Sequence, residues 1–339
     1  MSESTNIISN QVNHRVAIKN PGKYAELSII KEQILSPKIG EVLVRVEYCG
    51  VAMGDILFRK GISPGKFPMV PGYDIVGIII STGEGVVNFK KGDRVAGLTL
   101  TGGYTTYITL PVTELILLPS SIKPEAAAAS VLNYTTAYQL LVNVAKLKKG
   151  DSVLIHGAGG GIGLAVLQLC KYLGIEAYGT VSAKKINAVK QEGATAIDYQ
   201  SNDFVEFIRK RKANIDAVLD PIGGSQLFRS FKVVRSGGTL VSFGIGSAIN
   251  GNGSPFWKLI KAMLPLLLLK LSFQKKHVKL YVTTSRTKAL REVLQEIIIL
   301  LANEKIAPPI AKIFMLNEAE EAHQYLLNER PAGKILLKP

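Results

Sequence analysis

Val153-Leu154-Ile155-His156-Gly157-Ala158-Gly159-Gly160-Gly161-Ile162-Gly163 is the stretch on which the reading of this chain turns. A strand-like apolar run passes into a glycine-rich turn, and residues 164–172 continue as a helix carrying Ala165, Leu167, Leu169 and Cys170. Gly157, Gly160 and Gly163 stand at the spacing GxxGxxG. Glycine permits a tight turn and close backbone approach, and the helix start offers unpaired N–H groups that suit a pyrophosphate. A flexible loop can also be rich in glycine. A strand before, a helix after and a second strand about 20 residues on argue instead for a βαβ nucleotide-binding unit. That second strand, Ala177-Tyr178-Gly179-Thr180-Val181, runs into Ser182-Ala183-Lys184-Lys185. A carboxylate at this point would read a ribose 2′-hydroxyl; two lysines favour a 2′-phosphate, unless they merely open a solvated helix.

Outward from the turn, strands and helices alternate. Strands are expected at residues 152–156, 176–181, 196–199, 217–219, 239–243 and 278–283, with helices starting near Ile162, Lys184, Phe204 and Gln226. The alternation predicts a doubly wound parallel sheet with helices on both faces. Before it, residues 125–143 look helical, starting after Pro124 with an alanine run. The first third is β-rich: 41–47 alternates, 75–81 is a buried apolar run, and 104–110 is rich in Thr and Tyr, with Pro and Gly between them. A strand-and-turn domain, a partly open barrel, is expected there. The tail carries a helix at 288–301, a strand at 310–314, a helix at 318–327 and a strand at 334–337, and is expected to rejoin the first domain. The domains expected are 1–123 completed by 285–339, and 124–284.

The chain has 339 residues, 47% of them hydrophobic, enough for two cores. Its two cysteines, Cys49 and Cys170, cannot make a disulfide framework or a four-thiolate zinc site, which suits a reducing, cytoplasmic setting. Residues 1–11 are polar and show no secretory signal, and the uncharged stretches 126–145 and 152–170 are too interrupted for membrane spans. The net charge of +15 is spread along the chain, with one dense knot at Arg209-Lys210-Arg211-Lys212 and no interleaved aromatics. That pattern speaks against nucleic acid and suits a phosphate-bearing cofactor or an anionic membrane surface.

Several further segments carry a resemblance: Cys49-Gly50-Val51-Ala52-Met53-Gly54-Asp55, Pro71-Gly72-Tyr73-Asp74-Ile75-Val76-Gly77, Gly92-Asp93-Arg94-Val95, Leu132-Asn133-Tyr134-Thr135-Thr136-Ala137-Tyr138, Val241-Ser242-Phe243-Gly244 and the closing Glu321-Ala322-His323 and Gly333-Lys334-Ile335. In this order, with the glycine turn, they resemble the quinone-oxidoreductase-like, zinc-free branch of the medium-chain dehydrogenase/reductase superfamily across nearly the whole chain. The resemblance implies a GroES-like catalytic domain, an inserted Rossmann domain, a cleft between them for NADPH and a small carbonyl or quinone, and a homodimer. It implies NADPH contacts at Asn133 and Thr136, at Gly157, Ala158, Gly160, Gly161, Ile162 and Gly163, at Ser182, Lys185 and Tyr199, and at Phe243 and Gly244.

The departures are equally informative. Zinc-binding relatives hold ligands where this chain has Ala52, Tyr73-Asp74 and, approximately, Asn133; alanine cannot ligate, and a catalytic zinc needs three protein ligands. No metal is therefore expected. Many quinone reductases have Asn at the position of Ala52 and tyrosines near Leu57 and Ser63, so no general acid is assigned. Asp55 and Tyr73 are the remaining polar candidates for catalysis, each with a structural role as the alternative; His156, beside the turn, reads as structural or cofactor-adjacent. Hydride transfer to a quinone or an α,β-unsaturated carbonyl can proceed without an acid, because the delocalised oxyanion takes its proton from solvent. An enoyl-thioester reductase and a weakly catalytic, membrane-peripheral NADPH-binding protein are the alternatives. Residues 255–271, apolar with interspersed lysines, are expected to be a pocket wall or dimer contact, or else an interfacial membrane attachment.

Overall fold

The computed structural model describes residues 7–22, 25–249, 253–272, 275–283 and 288–339. The chain divides into two compact units, residues 1–135 with 284–330 and 334–339, and residues 136–283 with 331–333. The first division falls within helix α2 (Pro124–Tyr138). Most of the polar N-terminal stretch, and the expected domain boundary at 284/285, lie outside the described residues.

The first unit is built on β3 (Glu41–Val51), which follows a hairpin of β1 (Ile7–Ile18) and β2 (Leu27–Leu35). One edge of β3 pairs along its length with β4 (Asp74–Thr82). Its other edge is shared, Glu41–Arg45 pairing with β6 (Tyr107–Pro111) and Cys49–Val51 with β15 (Lys334–Lys338). The sheet order is β14 (Ile310–Met315), β15, β3, β4, β5 (Arg94–Leu98), β7 (Leu115–Leu117), with β14 parallel to β15. The tail thus completes the first unit's sheet. One core cluster includes Val44, Ile75 and Tyr104 with Ala319 and Ala322 of α9 (Ala319–Glu329). A second includes Val76 and Leu336 with Ala128 of α2 and Leu294 and Ile298 of α8 (Lys288–Ala302).

The second unit is a six-stranded parallel sheet ordered β10 (Thr195–Asp198), β9 (Glu176–Val181), β8 (Ser152–His156), β11 (Ile215–Asp220), β12 (Val234–Ser242), β13 (His277–Leu280). The order reverses between β8 and β11, the switch point at which such sheets take their ligands, beyond the C-terminal ends of the strands. Helices α3 (Gly161–Leu173), α4 (Ile186–Gln191), α5 (Phe204–Lys210) and α6 (Gln226–Val233) connect the strands, and Phe204, Ile208, Leu227 and Phe231 pack with Leu154, Val218 and Leu240.

Three expectations need correction. The strand expected at 104–110 starts only at Tyr107, because Tyr104 is buried side-on in the core and its N–H bonds Pro71 O. The β1–β2 hairpin and α1 (Met53–Arg59) were not expected; α1 is short and its polar and apolar residues show no clear period. Residues 255–270, read only as an apolar stretch, form a helix, α7 (Pro255–Lys270), with Pro255 at its first turn and Pro265 inside it. An element apolar all round shows no 3.6-residue alternation, so its pattern conceals the helix.

The tail strand is held by charge as well as by pairing. Lys334 Nζ lies 3.1 Å from Asp74 Oδ2, with both side chains almost fully buried. Removing one partner of such a pair leaves an uncompensated buried charge and typically costs about 3–5 kcal/mol. Lys334→Met is expected to lose that much in denaturant unfolding, and adding Asp74→Asn to it should restore part of the loss. A loss below about 1 kcal/mol would show the pair to be dispensable.

Candidate functional site

At the C-terminal end of β8 the chain enters Gly157 at φ +71°, a left-handed conformation that glycine adopts without strain. Ala158 N donates to Thr180 O at 3.0 Å, tying the turn to β9, and Gly160 N donates to Gly157 O at 3.0 Å. The first helical bond of α3 is Leu164 N to Gly160 O, so the N–H groups of Gly161, Ile162 and Gly163 precede the helix ladder. Glycine is required twice more for space. A Cβ on Gly163 would stand 2.5 Å from both Gly157 O and Ala158 O, and one on Gly179 of β9 would collide with the Ala158 Cβ. On the far side of the switch point, a Cβ on Gly244 would lie 2.5 Å from Pro221 O, while Phe243 N donates to Asp220 O at 3.0 Å. The result is a backbone cradle closed to side chains.

Ser182 follows β9, and Lys185 N donates back to Ser182 O at 2.9 Å in a single 3-10 turn. The stem of Lys185 lies over the glycine turn: a Cβ on Gly159 would stand 2.8 Å from Lys185 Cδ. Tyr199 N donates to Val181 O at 3.2 Å, which holds the exposed Tyr199 beside the end of β9. The structure therefore gathers Ser182, Lys185 and Tyr199 at one rim of the turn. Asn133 and Thr136, one turn apart on α2, are both buried.

His156 is buried beneath the turn in a chain of hydrogen bonds. Its Nε2 lies 2.9 Å from Ser230 Oγ, and Ser230 donates to Asp220 Oδ2 at 2.7 Å. Because that hydroxyl proton is committed to Asp220, Nε2–H donates to Ser230 and Nδ1 accepts from Thr180 Oγ1 at 2.9 Å. Burial lowers the His156 pKa, against the attraction of Asp220, which matches a neutral ring with one fixed tautomer. The other Asp220 oxygen accepts from Ile222 N at 2.7 Å and Gly223 N at 2.9 Å. This network braces both strand ends at the switch point.

The two catalytic candidates lie in the first unit. Asp55 is fully buried: Oδ2 accepts from Ala52 N at 2.8 Å and Oδ1 from Gly72 N at 2.9 Å, while Tyr104 OH approaches Oδ2 at 3.2 Å. Burial pushes its pKa up to about 6 despite those donors. Tyr73 stacks on Phe58 at 6.1 Å, a Cβ on Gly54 would collide with its hydroxyl, and burial followed by the nearby Asp55 charge raises its pKa. Both side chains have evident structural work. The zinc-ligand positions do not fit a metal, since Ala52 precedes α1 with no ligating group and Asp74 is paired with Lys334 while accepting from Gly50 N at 2.6 Å.

Two side chains that sequence reasoning passed over join these groups. His323, from α9, places Nε2 3.0 Å from Tyr104 OH and so extends the Asp55–Tyr104 contact across separations of 49 and 219 residues, which no local motif could reveal. Tyr281, just past β13, donates its N–H to Ser242 O at 2.8 Å, and its hydroxyl accepts from Thr283 Oγ1 at 3.2 Å. Its signal was the Tyr–Val–Thr end of an expected strand, read there only as β-propensity.

The alcohol dehydrogenase GroES-like family matches residues 38–120, and the zinc-binding dehydrogenase family matches residues 192–337. The human synaptic vesicle membrane protein VAT-1 homolog is 30% identical over 90% of this chain and 80% of its own length. A probable quinone oxidoreductase of Schizosaccharomyces pombe is 30% identical over 95% of this chain and 96% of its own. The crystal structure of Escherichia coli quinone oxidoreductase complexed with NADPH superposes with a TM-score of 0.82 at 29% identity, covering 96% of this chain and all of that one. The chain belongs to the quinone-oxidoreductase-like branch of the medium-chain dehydrogenase/reductase superfamily, together with the VAT-1 homologues.

The Asp55–Tyr104–His323 cluster makes a prediction about pH. Burial, with Arg59 nearby, lowers the His323 pKa from 6.5 to about 3, and its Nδ1 has no partner, so protonating it in the fold is unfavourable. Its contribution to stability is complete above the unfolded pKa of 6.5 and is lost as pH falls toward 3. Asp55, raised from 3.8 to about 6, acts oppositely: its contribution is complete below 3.8 and is lost as pH rises through 6. The two offset each other where these windows overlap. Relative to wild type, Asp55→Asn should lose stability with falling pH in that overlap and His323→Gln should gain it, each by at most about 1.4 kcal/mol per pH unit. Urea unfolding across the window checks this; three parallel curves would refute the linkage.

Proposed function

We propose that this protein is an NADPH-dependent, zinc-independent oxidoreductase that reduces quinones or α,β-unsaturated carbonyls. The observation that carries the reading is Lys185 lying over the glycine turn, with Ser182 at the base of its 3-10 turn and no carboxylate at the end of β9. Pyrophosphate would meet the N–H groups of Gly161, Ile162 and Gly163, in a cradle shaped by Gly157, Ala158 and Gly160. Ser182 and Lys185 would hold the 2′-phosphate, Tyr199 would face the adenine side, and Asn133, Thr136, Phe243 and Gly244 would border the rest. The NADPH complex named for the E. coli relative supports the same choice.

Bound NADPH supplies the hydride. The chain's own part is to orient and to keep the backbone cradle rigid, which the fixed His156–Ser230–Asp220 chain serves. With Ala52, Leu57 and Ser63 where many quinone reductases carry Asn and tyrosines, the substrate oxyanion would take its proton from solvent. That chemistry suits a delocalised quinone or enone product better than a simple alkoxide, for which no Lewis acid is at hand. The VAT-1 names of several relatives favour a second reading, a weakly catalytic NADPH-binding protein at a membrane.

NADPH oxidation against quinones, enones and enoyl thioesters separates these readings, and binding of NADPH without turnover on any of them selects the second. A lysine contact to the 2′-phosphate is worth about 1.5–3 kcal/mol, so Lys185→Ala should raise the apparent NADPH constant by roughly tenfold or more while leaving the NADH constant nearly unchanged. Equal loss of both cofactors, or a wild-type preference for NADH, would overturn the assignment. Exhaustive chelation should leave turnover intact, and stoichiometric, tightly held zinc in the purified protein would contradict zinc independence.

A further inference from the structure

The strand order gives the cofactor site two ends. Ser182, Lys185 and Tyr199 stand on the β9–β10 side of the glycine turn. A dinucleotide whose 2′-phosphate they hold therefore carries its nicotinamide half across the switch point, toward the ends of β11, β12 and β13. Side-chain donors are scarce there. Pro221-Ile222-Gly223-Gly224 follows β11 and Phe243-Gly244-Ile245-Gly246 follows β12, and none of these residues has one. Asp220, at the end of β11, is committed to Ser230 and to two backbone N–H groups. After β13 comes Tyr281. Leu280 pairs with Ser242 and Tyr281 N donates to Ser242 O at 2.8 Å, so the tyrosine stands beside Phe243, one residue past the ladder. Its hydroxyl accepts from Thr283 Oγ1 at 3.2 Å; because Thr283 supplies the proton of that bond, the phenol retains its own to give. Burial raises the Tyr281 pKa above the usual phenol value, and the hydroxyls of Thr283 and Thr136 oppose the rise. The side chain is thus a neutral donor at neutral pH.

We propose that the Tyr281 hydroxyl is the hydrogen-bond donor that receives the substrate's carbonyl oxygen at the nicotinamide end of the site. The inference rests on the quinone or enone reduction proposed above and adds to it the group that steadies the developing charge. Hydride addition forms a new bond to the substrate, and the electron pair it displaces becomes negative charge on a carbonyl oxygen. A fixed donor at that oxygen binds the transition state more strongly than the neutral substrate, which is what accelerates the step. The phenol keeps its proton throughout, and the proton that completes the product comes from solvent. Thr283 acts as a positioning residue, because its hydroxyl orients the phenol before any substrate arrives. A quinone or an enone product spreads its charge, so one neutral donor suffices where a simple alkoxide calls for a metal.

Tyr281→Phe removes the hydroxyl and keeps the ring. With NADPH saturating, it should lower kcat by roughly ten- to a hundredfold, the worth of one hydrogen bond to a charged oxygen. The NADPH Kd, read by cofactor fluorescence without substrate, should stay unchanged. The loss should be larger for a simple enone, whose enolate keeps more charge on oxygen, than for a quinone. A second readout needs no turnover. The protein saturated with NADP+ is titrated with 4-nitrophenol, and binding of the yellow phenolate should weaken by roughly tenfold or more in Tyr281→Phe. Wild-type turnover that Tyr281→Phe leaves unchanged overturns the proposal and spares the proposed reaction. A wild type inactive on every quinone and enone, whose phenolate binding still depends on Tyr281, supports the donor and overturns the reaction. Equal losses of NADPH affinity and kcat would assign Tyr281 to holding the cofactor, and phenolate binding indifferent to the substitution would assign it to packing; either overturns the proposal.

Discussion

A buried ion pair holds the first unit together. Asp74 stands at the start of β4, accepts from Gly50 N in β3 at 2.6 Å and from Leu132 N in α2 at 3.3 Å, and meets Lys334 of β15 at 3.1 Å. One carboxylate thus ties together four segments up to 260 residues apart. Two charges without solvent are tolerable only when every lone pair is used, so this arrangement demands its neighbours as much as it supports them. Gly50 is part of the demand, since a Cβ there would collide with the end of Lys334. Where zinc-binding relatives place metal ligands, this chain spends its carboxylate on architecture.

The second unit follows a different logic, in which backbone geometry and a single buried carboxylate, Asp220, shape the turns at the strand ends. The turn after β8 is held by Thr180 O, the turn after β11 by Asp220 Oδ1, and both rest on a neutral His156 whose tautomer is dictated by its neighbours. Every hydrogen bond in the chain from Thr180 to Asp220 points the same way, so none can reverse without the others. That rigidity leaves the N–H groups at the start of α3 in place before any ligand arrives.

The parallel sheet was legible because its signals are local. The strands at Ser152–His156 and Glu176–Val181 coincide with the residues expected from apolar runs, and α5 and α6 begin at Phe204 and Gln226 as expected. Glycine spacing and the missing acid after Val181 are equally local, so the turn itself is visible in the sequence, whereas Tyr199 comes only from the resemblance. What escaped depends on tertiary contact. Asp55, Tyr104 and His323 meet only because α9 packs on the sheet, and α7 disguised itself by burying one apolar side and exposing another. Tyr281 reads as ordinary strand, and its hydroxyl's bond from Thr283 depends on the turn that follows β13.

The contact between Ala158 and Gly179 bears on how this chain can diverge. A side chain at 179 has no room while Ala158 occupies the space, and one at 163 meets two carbonyl oxygens. These positions are therefore locked by folding, whether or not any nucleotide ever binds. A descendant that lost turnover would keep the same glycines for as long as it kept the same sheet. Persistence of the turn is consequently a record of packing, not of any ligand it holds.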